Sequence, residues 1–272
     1  MTTDIPFRFF ISTFAWSWLF WLPLTTLSRL SISDVLVYPA MFLGAFGPVF
    51  GACHSVWSLQ GRGALLEFLK PFAAVNIGWR LLVKIFLILG AVNAAAWFGL
   101  EMFGYERLGM LLPSVFVFPA VWLFMVFLGG GQEEIGWRGY ILPFLESRFG
   151  LWKGNILLGI VWSVWHLPLW FVPQANQGHM PFAAFVIGLI GLSFIFSWVM
   201  KAAKEKPFAA LVAHGTSNAL IALFPTFEQA ATFQPRFWLH EALLLAVGVV
   251  VILWIKRQCM DTNINDPGLR GS

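Results

Sequence analysis

The chain has 272 residues, of which 59% are apolar and 11% charged, with 29 Phe, 15 Trp and a mean hydropathy of +0.77. Soluble domains carry roughly 25% charged residues, so 13 acids and 17 bases cannot tile a water-facing surface over this length. A soluble globule and a polar disordered chain are both excluded, which leaves a multi-spanning membrane protein.

A membrane-crossing helix uses about 20 apolar residues. Eight stretches meet that requirement: Phe7–Leu27, Val35–Leu59, Leu81–Gly104, Leu111–Gly131, Gly154–Val172, Pro181–Met200, Pro207–Phe224 and Phe237–Ile255. The first is too long, and too rich in Trp and Phe, for a cleavable signal, and it lacks a small-residue cleavage site. Alternation of period two is absent, which argues against an outer-membrane barrel. Between the second and third stretches, Leu65, Leu66, Phe68, Leu69, Phe72 and Val75 interleave with Glu67 and Lys70. That pattern predicts an interfacial amphipathic helix within 61–80. The fold class is therefore all-α, a polytopic bundle of about eight transmembrane helices. Residues 1–258 form one integral-membrane domain, and 259–272 form a polar, disordered C-terminal tail. No internal repeat is visible, which weakens an inverted-repeat transporter. Cys53 and Cys259 suggest neither a disulfide framework nor a metal cluster.

With eight spans, both termini and every even-numbered connection share one side. That side collects Arg8, Arg62, Lys70, Arg80, Lys84, Arg138, Arg148, Lys153, Lys201, Lys204, Lys206, Lys256, Arg257 and Arg270, against Arg29, Arg107 and Arg236 on the other. The positive-inside rule places both termini in the cytoplasm, with the plasma membrane as the expected location. The basic balance reflects topology and attraction to anionic lipid rather than nucleic-acid binding.

Ionisable groups within apolar spans are costly and so are functional candidates. The richest cluster is Gly129-Gly130-Gly131-Gln132-Glu133-Glu134-Ile135-Gly136-Trp137-Arg138-Gly139-Tyr140. Glu134 and Arg138, at i and i+4, can pair on one helical face, while Glu133 points about 100° away and stays free of the guanidinium. Further on, Trp162 and His166 share a face just before Pro168, which ends or kinks the helix. His214 and Asn218 repeat the i,i+4 relation in the seventh span. Such a set supports hydrolysis of a peptide bond without a protein nucleophile. A Glu in an apolar site can take a proton from water as general base. His166 can orient that water or share its proton, and His214 with Asn218 can donate to an oxyanion. No Gly-x-Ser-x-Gly elbow occurs, and Cys53-His54 lies away from the cluster. His240-Glu241 begins like a zinc helix, but Leu244 stands where the second His would be.

Glu133-Glu134-x-x-x-Arg138, Trp165-His166-Leu167-Pro168 with an aromatic four residues before the His, and His214-x-x-x-Asn218 resemble the three motifs of the CPBP family. This family includes the type II CAAX prenyl endopeptidases and bacteriocin-processing and abortive-infection-like membrane proteins. The resemblance covers about 44–223, with a motif core at 129–223, and includes Gly44-Ala45-Phe46-Gly47-Pro48, similar to the family's second span. It implies an intramembrane endopeptidase with a polar cavity open to the cytoplasm. Glu133 would be the catalytic base and His166 its partner at the water. Glu134 and Arg138 would hold the geometry, and His214 with Asn218 would form the oxyanion hole. Trp162 stands where Phe is common. The expected partners are a peptide, protein or lipopeptide substrate and the bilayer. No cofactor is expected: Glu with two His could bind zinc, but Asn218 suits an oxyanion better, which favours a metal-free glutamic peptidase. The other reading is a non-catalytic scaffold or immunity protein that uses the same cluster to bind a partner.

Overall fold

The computed structural model describes residues 6–27, 34–229, 231 and 233–264, with the backbone alone for 258–264. The described residues are almost entirely helical. Helix α1 (Phe7–Leu27) is followed by α2 (Asp34–Gly44) and α3 (Gly47–Leu69), and then by α4 (Trp79–Gly99), α5 (Phe118–Phe127) and α6 (Glu134–Gly136). After a π turn over Trp137–Ile141 come α7 (Leu142–Trp165), α8 (Phe182–Ala202), α9 (Phe208–Leu223) and α10 (Pro235–Ile264). Helix α10 thus continues six residues into the expected tail. Its last eight residues, and Arg29 and Arg270, lie outside the described residues.

Among the described residues, five helical stretches are long and apolar enough to cross a membrane, or six when the bent α2–α3 pair counts as one. The difference from eight has a physical origin in particular breaks. The stretch Val115–Phe171 joins the fourth and fifth expected spans across a turn at 128–130 and a non-helical Gly150 (φ 79°, ψ 166°). Helix α9, with 16 residues, reaches about 24 Å at 1.5 Å per residue, short of a hydrocarbon core of roughly 30 Å. The expected second span bends by 42° between α2 and α3. Gly61, at φ 83°, breaks α3 again. Beyond it the helix runs on, and its inner face places Phe68 and Phe72 under the bundle, with Phe68 edge-on to Tyr140 at 6.2 Å. The amphipathic segment read from the sequence is this one.

Outward-facing Ile11, Leu19, Leu87, Leu123, Val250 and Leu253 are all exposed. Such a continuous apolar exterior is tolerated in lipid and not in water. Inside, helices meet through small residues, as expected where lipid leaves packing as the driving force. On α3, Gly47 and Gly51 lie where any Cβ would strike Ser17 and Thr13 of α1. A Cβ on Gly191 of α8 would sit 2.5 Å from the Leu244–Leu245 peptide of α10.

Cross-connections define the two ends of the bundle. At one end Arg8 donates to Ser58, Lys206 to the Asn76 carbonyl, and Lys201 to Glu146. At the other, Gln174 donates to Asp34, Arg236 to the Glu106 carbonyl, and Leu111 N–H to the Ala222 carbonyl. The first turn of α1 and the last turns of α10 belong to the first, basic end.

Close packing of α8 on α10 predicts an asymmetry between glycines. Gly191→Ala should cost about 1–3 kcal/mol through overpacking and lower the thermal midpoint of the purified protein in detergent. Gly90→Ala, which meets nothing within 4 Å, should leave that midpoint unchanged or slightly raised.

Candidate active site

Helix α5 carries the chain into the bundle and stops at Leu128. The reversal that follows needs glycine twice over. Gly130 has φ +132°, which disfavours a side chain, and a Cβ there would fall 2.7 Å from His214 Nε2 and on Asn218 Nδ2. A Cβ on Gly131 would meet the Leu211 carbonyl at 2.7 Å. Gln132 pins the turn, its Oε1 accepting from Gly130 N–H at 2.9 Å. A single 3-10 turn (Gly131–Glu133) then leads into α6 and the π turn. Such widened turns recur at functional sites. Gly136 allows the approach of α3, because its missing Cβ would overlap the Pro48 carbonyl. The Gly44–Pro48 segment therefore serves packing around the site.

The two adjacent carboxylates part company. Glu134 is fully buried and its carboxylate takes the Arg138 guanidinium at 3.0 Å. The same guanidinium lies over the Trp162 and Phe196 rings, 4.7 and 4.9 Å from their centroids, a cation–π arrangement. His214 Nδ1 stands 2.8 Å from Glu134 Oε1. A carboxylate only accepts, so Nδ1 carries the hydrogen and Nε2 points away from Glu134. Glu133 has no arginine. Its Oε2 instead accepts from the indole N–H groups of Trp162 at 2.9 Å and Trp137 at 3.3 Å.

His166 caps the end of α7, just before the 3-10 turn Leu167–Phe171 that begins around Pro168. Its Nδ1 donates to the Trp162 carbonyl at 2.9 Å, which leaves the Nε2 lone pair free in the neutral ring. Trp165 and Phe185 flank the ring edge-on at 4.5 and 5.3 Å. On α9, Asn218 Nδ2 donates to the Gly129 carbonyl at 2.9 Å.

Four of the six residues read from the sequence, Glu133, His166, His214 and Asn218, line one cavity of about 440 Å³. Glu134 and Arg138 stand behind it and hold His214. Two residues to which the sequence reading gave no part in holding Glu133 matter as much. The indoles of Trp137 and Trp162 fix Glu133, and in a chain with 15 Trp nothing marks those two N–H groups as its donors. Trp162 supplies an N–H that Phe in its place would lack. Cys53 lies outside this cavity, and His54 pairs with Ser12 at 2.7 Å. His240 and Glu241 pair with each other at 2.9 Å beside Gly188 of α8, away from the site. Among the described residues, no three His, Cys, Asp or Glu side chains gather closely enough to hold a metal ion.

The upper wall of the cavity comes from Met41, Leu111, Gln177, Met180, Ala222 and Phe227. All belong to the end of the bundle opposite the basic connections.

The site's polar set, brought together from three segments of the chain, can be compared with known proteins. Residues 115–220 match the family model "Type II CAAX prenyl endopeptidase Rce1-like". The chain is also 25% identical over 264 residues to CAAX prenyl protease 2 of Methanococcus maripaludis, covering 93% of this chain and 94% of that one. The resemblance read from the three motifs is thus shown, and the matched region contains Glu133, Glu134, Arg138, His166, His214 and Asn218. This multi-pass membrane chain is similar to a CAAX prenyl protease over most of its length.

The unequal setting of the two carboxylates predicts unequal variants. Glu134→Gln strands the buried Arg138 charge, a loss of about 3–5 kcal/mol for a broken buried pair, and should reduce folded yield and thermal midpoint in detergent. Glu133→Gln keeps an amide oxygen to accept both indole N–H groups and should melt close to the parent protein.

Proposed function

We propose that this protein is an intramembrane endopeptidase in which Glu133 activates water for attack on a peptide carbonyl. The observation that supports it best is the state of Glu133, a buried carboxylate positioned by two indoles on one oxygen at the wall of the cavity. Its other oxygen is available to a water molecule, and the free His166 Nε2 shares the same cavity. In the attack, Glu133 takes a proton from water as the hydroxide adds to the carbonyl carbon. The oxygen that becomes negative is received by Asn218 Nδ2–H and by His214 Nε2 in its imidazolium form, the two groups that converge beside the bare Cα of Gly130. Collapse of the tetrahedral species breaks the C–N bond, and the proton held by Glu133 passes to the leaving amine. Oriented donors in a site of low polarity are the main source of such stabilisation.

Glu134 and Arg138 position His214 and do not touch the substrate in this reading. The substrate is a peptide, protein or lipopeptide. The curated relative is named for a prenylated client, and a lipid-modified peptide would fit the aromatic wall of Trp21, Trp165 and Phe185. The chemistry needs no metal ion, since base, water partner and oxyanion donors are all side chains.

Glu133→Gln should lower cleavage of a peptide or lipopeptide reporter by at least about 10²-fold, the lower range of general-base contributions, without loss of fold. Retention of full activity would remove Glu133 from the mechanism. Asn218→Ala should reduce kcat by about 10²–10³ with a smaller effect on KM. Activity should survive exhaustive treatment with a zinc chelator; parallel loss of activity and bound zinc, both restored by added zinc, would replace the metal-free mechanism.

A further inference from the structure

A substrate held in extended form in the cavity brings peptide N–H and carbonyl groups that have lost their own partners. Such groups are penalised in an apolar site unless the wall replaces those partners. Most of the wall is unable to do so. The indole N–H groups of Trp21, Trp162 and Trp165, all in the lining, are already given to the Met41 carbonyl, Glu133 and Ser17. Glu133, His166, His214 and Asn218 are assigned to the scissile bond itself. The polar side chains that remain in the lining are Asn176 and Gln177. Asn176 is exposed and Gln177 half-buried, and neither side chain has a hydrogen-bond partner among the described residues.

Their place is set by the segment that follows His166. It runs through 3-10 turns at Leu167–Phe171 and Asn176–His179 before α8 begins. Trp170 braces it, its Nε1 donating to the Met180 carbonyl at 2.8 Å and its ring meeting Phe182 and Phe185 edge-on at 5.1 and 5.0 Å. Phe185 in turn lies edge-on to His166. Val172 and Ala175 are buried between the two turns, and Met180 N–H closes the second turn on the Gln177 carbonyl at 2.9 Å. Asn176 and Gln177 are therefore held at a fixed offset from His166 on one continuous piece of chain. A carboxamide presents two N–H hydrogens and a carbonyl oxygen, the complement of a peptide group, and it carries no charge to be desolvated.

We propose that Asn176 and Gln177 bind the main chain of the substrate, their carboxamides pairing with a peptide group that flanks the scissile bond. This role rests on the peptidase reading of the site. Recognition at this point is blind to the substrate's side chains and requires only that the segment be unwound. The two residues therefore select for backbone conformation and leave sequence preference to the apolar wall.

The probe is a quenched fluorescent peptide with a farnesylated Cys in a CAAX sequence. A companion series replaces one amide at a time, never the scissile one, by an ester, which lacks the N–H and is a poorer acceptor. Gln177→Leu and Asn176→Leu keep side-chain bulk and remove hydrogen bonding. Each should raise KM by about 2- to 10-fold, the worth of a neutral hydrogen bond, with little change in kcat and an unchanged thermal midpoint. Within the series, one ester should lower kcat/KM of the parent protein and have no further effect in the variant that has lost its partner. A purely structural role would not produce that non-additivity. Equal ester penalties at every position in the parent and in the Asn176→Leu/Gln177→Leu double variant, or an unchanged KM in that double variant, would overturn the assignment. If Glu133→Gln still abolishes cleavage in that case, the peptidase reading stands and only the carboxamides are removed from it. A probe that the parent protein cleaves no faster than Glu133→Gln does removes both.

Discussion

A guanidinium buried in a membrane protein must be answered by a charge of opposite sign, and Arg138 decides the layout of this molecule. It is 1% exposed and its partner Glu134 is fully buried. An unpaired charge at that depth would cost several kcal/mol, so the sequence separation of four that lets them pair is a constraint on folding as well as on chemistry. Once Glu134 is committed to Arg138, its remaining interaction is with His214 Nδ1, which orients the ring on α9. One ion pair thereby ties the α6 turn to α9 and assigns opposite tasks to two chemically identical neighbours.

The second constraint is proximity. Polar heads from the turn before α6, the end of α7 and α9 reach one cavity only because glycines remove the atoms that would keep the backbones apart. Gly136 accepts the Pro48 carbonyl, Gly215 accepts the backbone of Val126, and Gly130 leaves room for His214 and Asn218. In lipid the helices have no hydrophobic gain from leaving water, so these close approaches carry the packing. Added methyl groups at such points act on the site through backbone displacement.

How far the sequence made this legible depends on the type of signal. Helix α1 coincides with its predicted span, because a largely apolar run of 21 residues allows one reading. The Glu134–Arg138 pair followed from helical geometry alone, and the His214–Asn218 spacing did the same on α9. The breaks were less legible. Gly150 falls among Glu146, Arg148 and Lys153 between two expected spans, yet the sequence does not show that helix runs on both sides of it, and the 42° bend between α2 and α3 needs the facing surface of α1 to explain it. Trp137 and Trp162 were hidden for a different reason: an indole in a Trp-rich chain reads as packing, and its N–H gains a role only when a carboxylate is seen within 2.9 Å. Gln132 was passed over beside two glutamates, although it closes the turn that places them.

Depth adds a last consequence. Along α9, His214 lies six residues beyond Phe208, or about 9 Å from the basic end at 1.5 Å per residue, and Asn218 about 15 Å. Ala222, which lines the same cavity, is four residues further still, about 6 Å beyond Asn218. His214 therefore stands near the middle of α9, and Asn218 lies one turn nearer the end that carries Ala222. In the proposed peptidase reading, a substrate segment at Glu133 lies in extended form, and each of its residues advances it by about 3.3 Å. Several consecutive residues must leave their own helix to do so. Their hydrogen-bonding groups then face a wall that offers few partners, so local unwinding of the substrate is part of the free-energy cost of binding. Segments already broken by proline or glycine, or lying at the end of a helix, meet that cost most easily, so the proposed reading makes helix stability a determinant of cleavage alongside the side chains at the scissile bond.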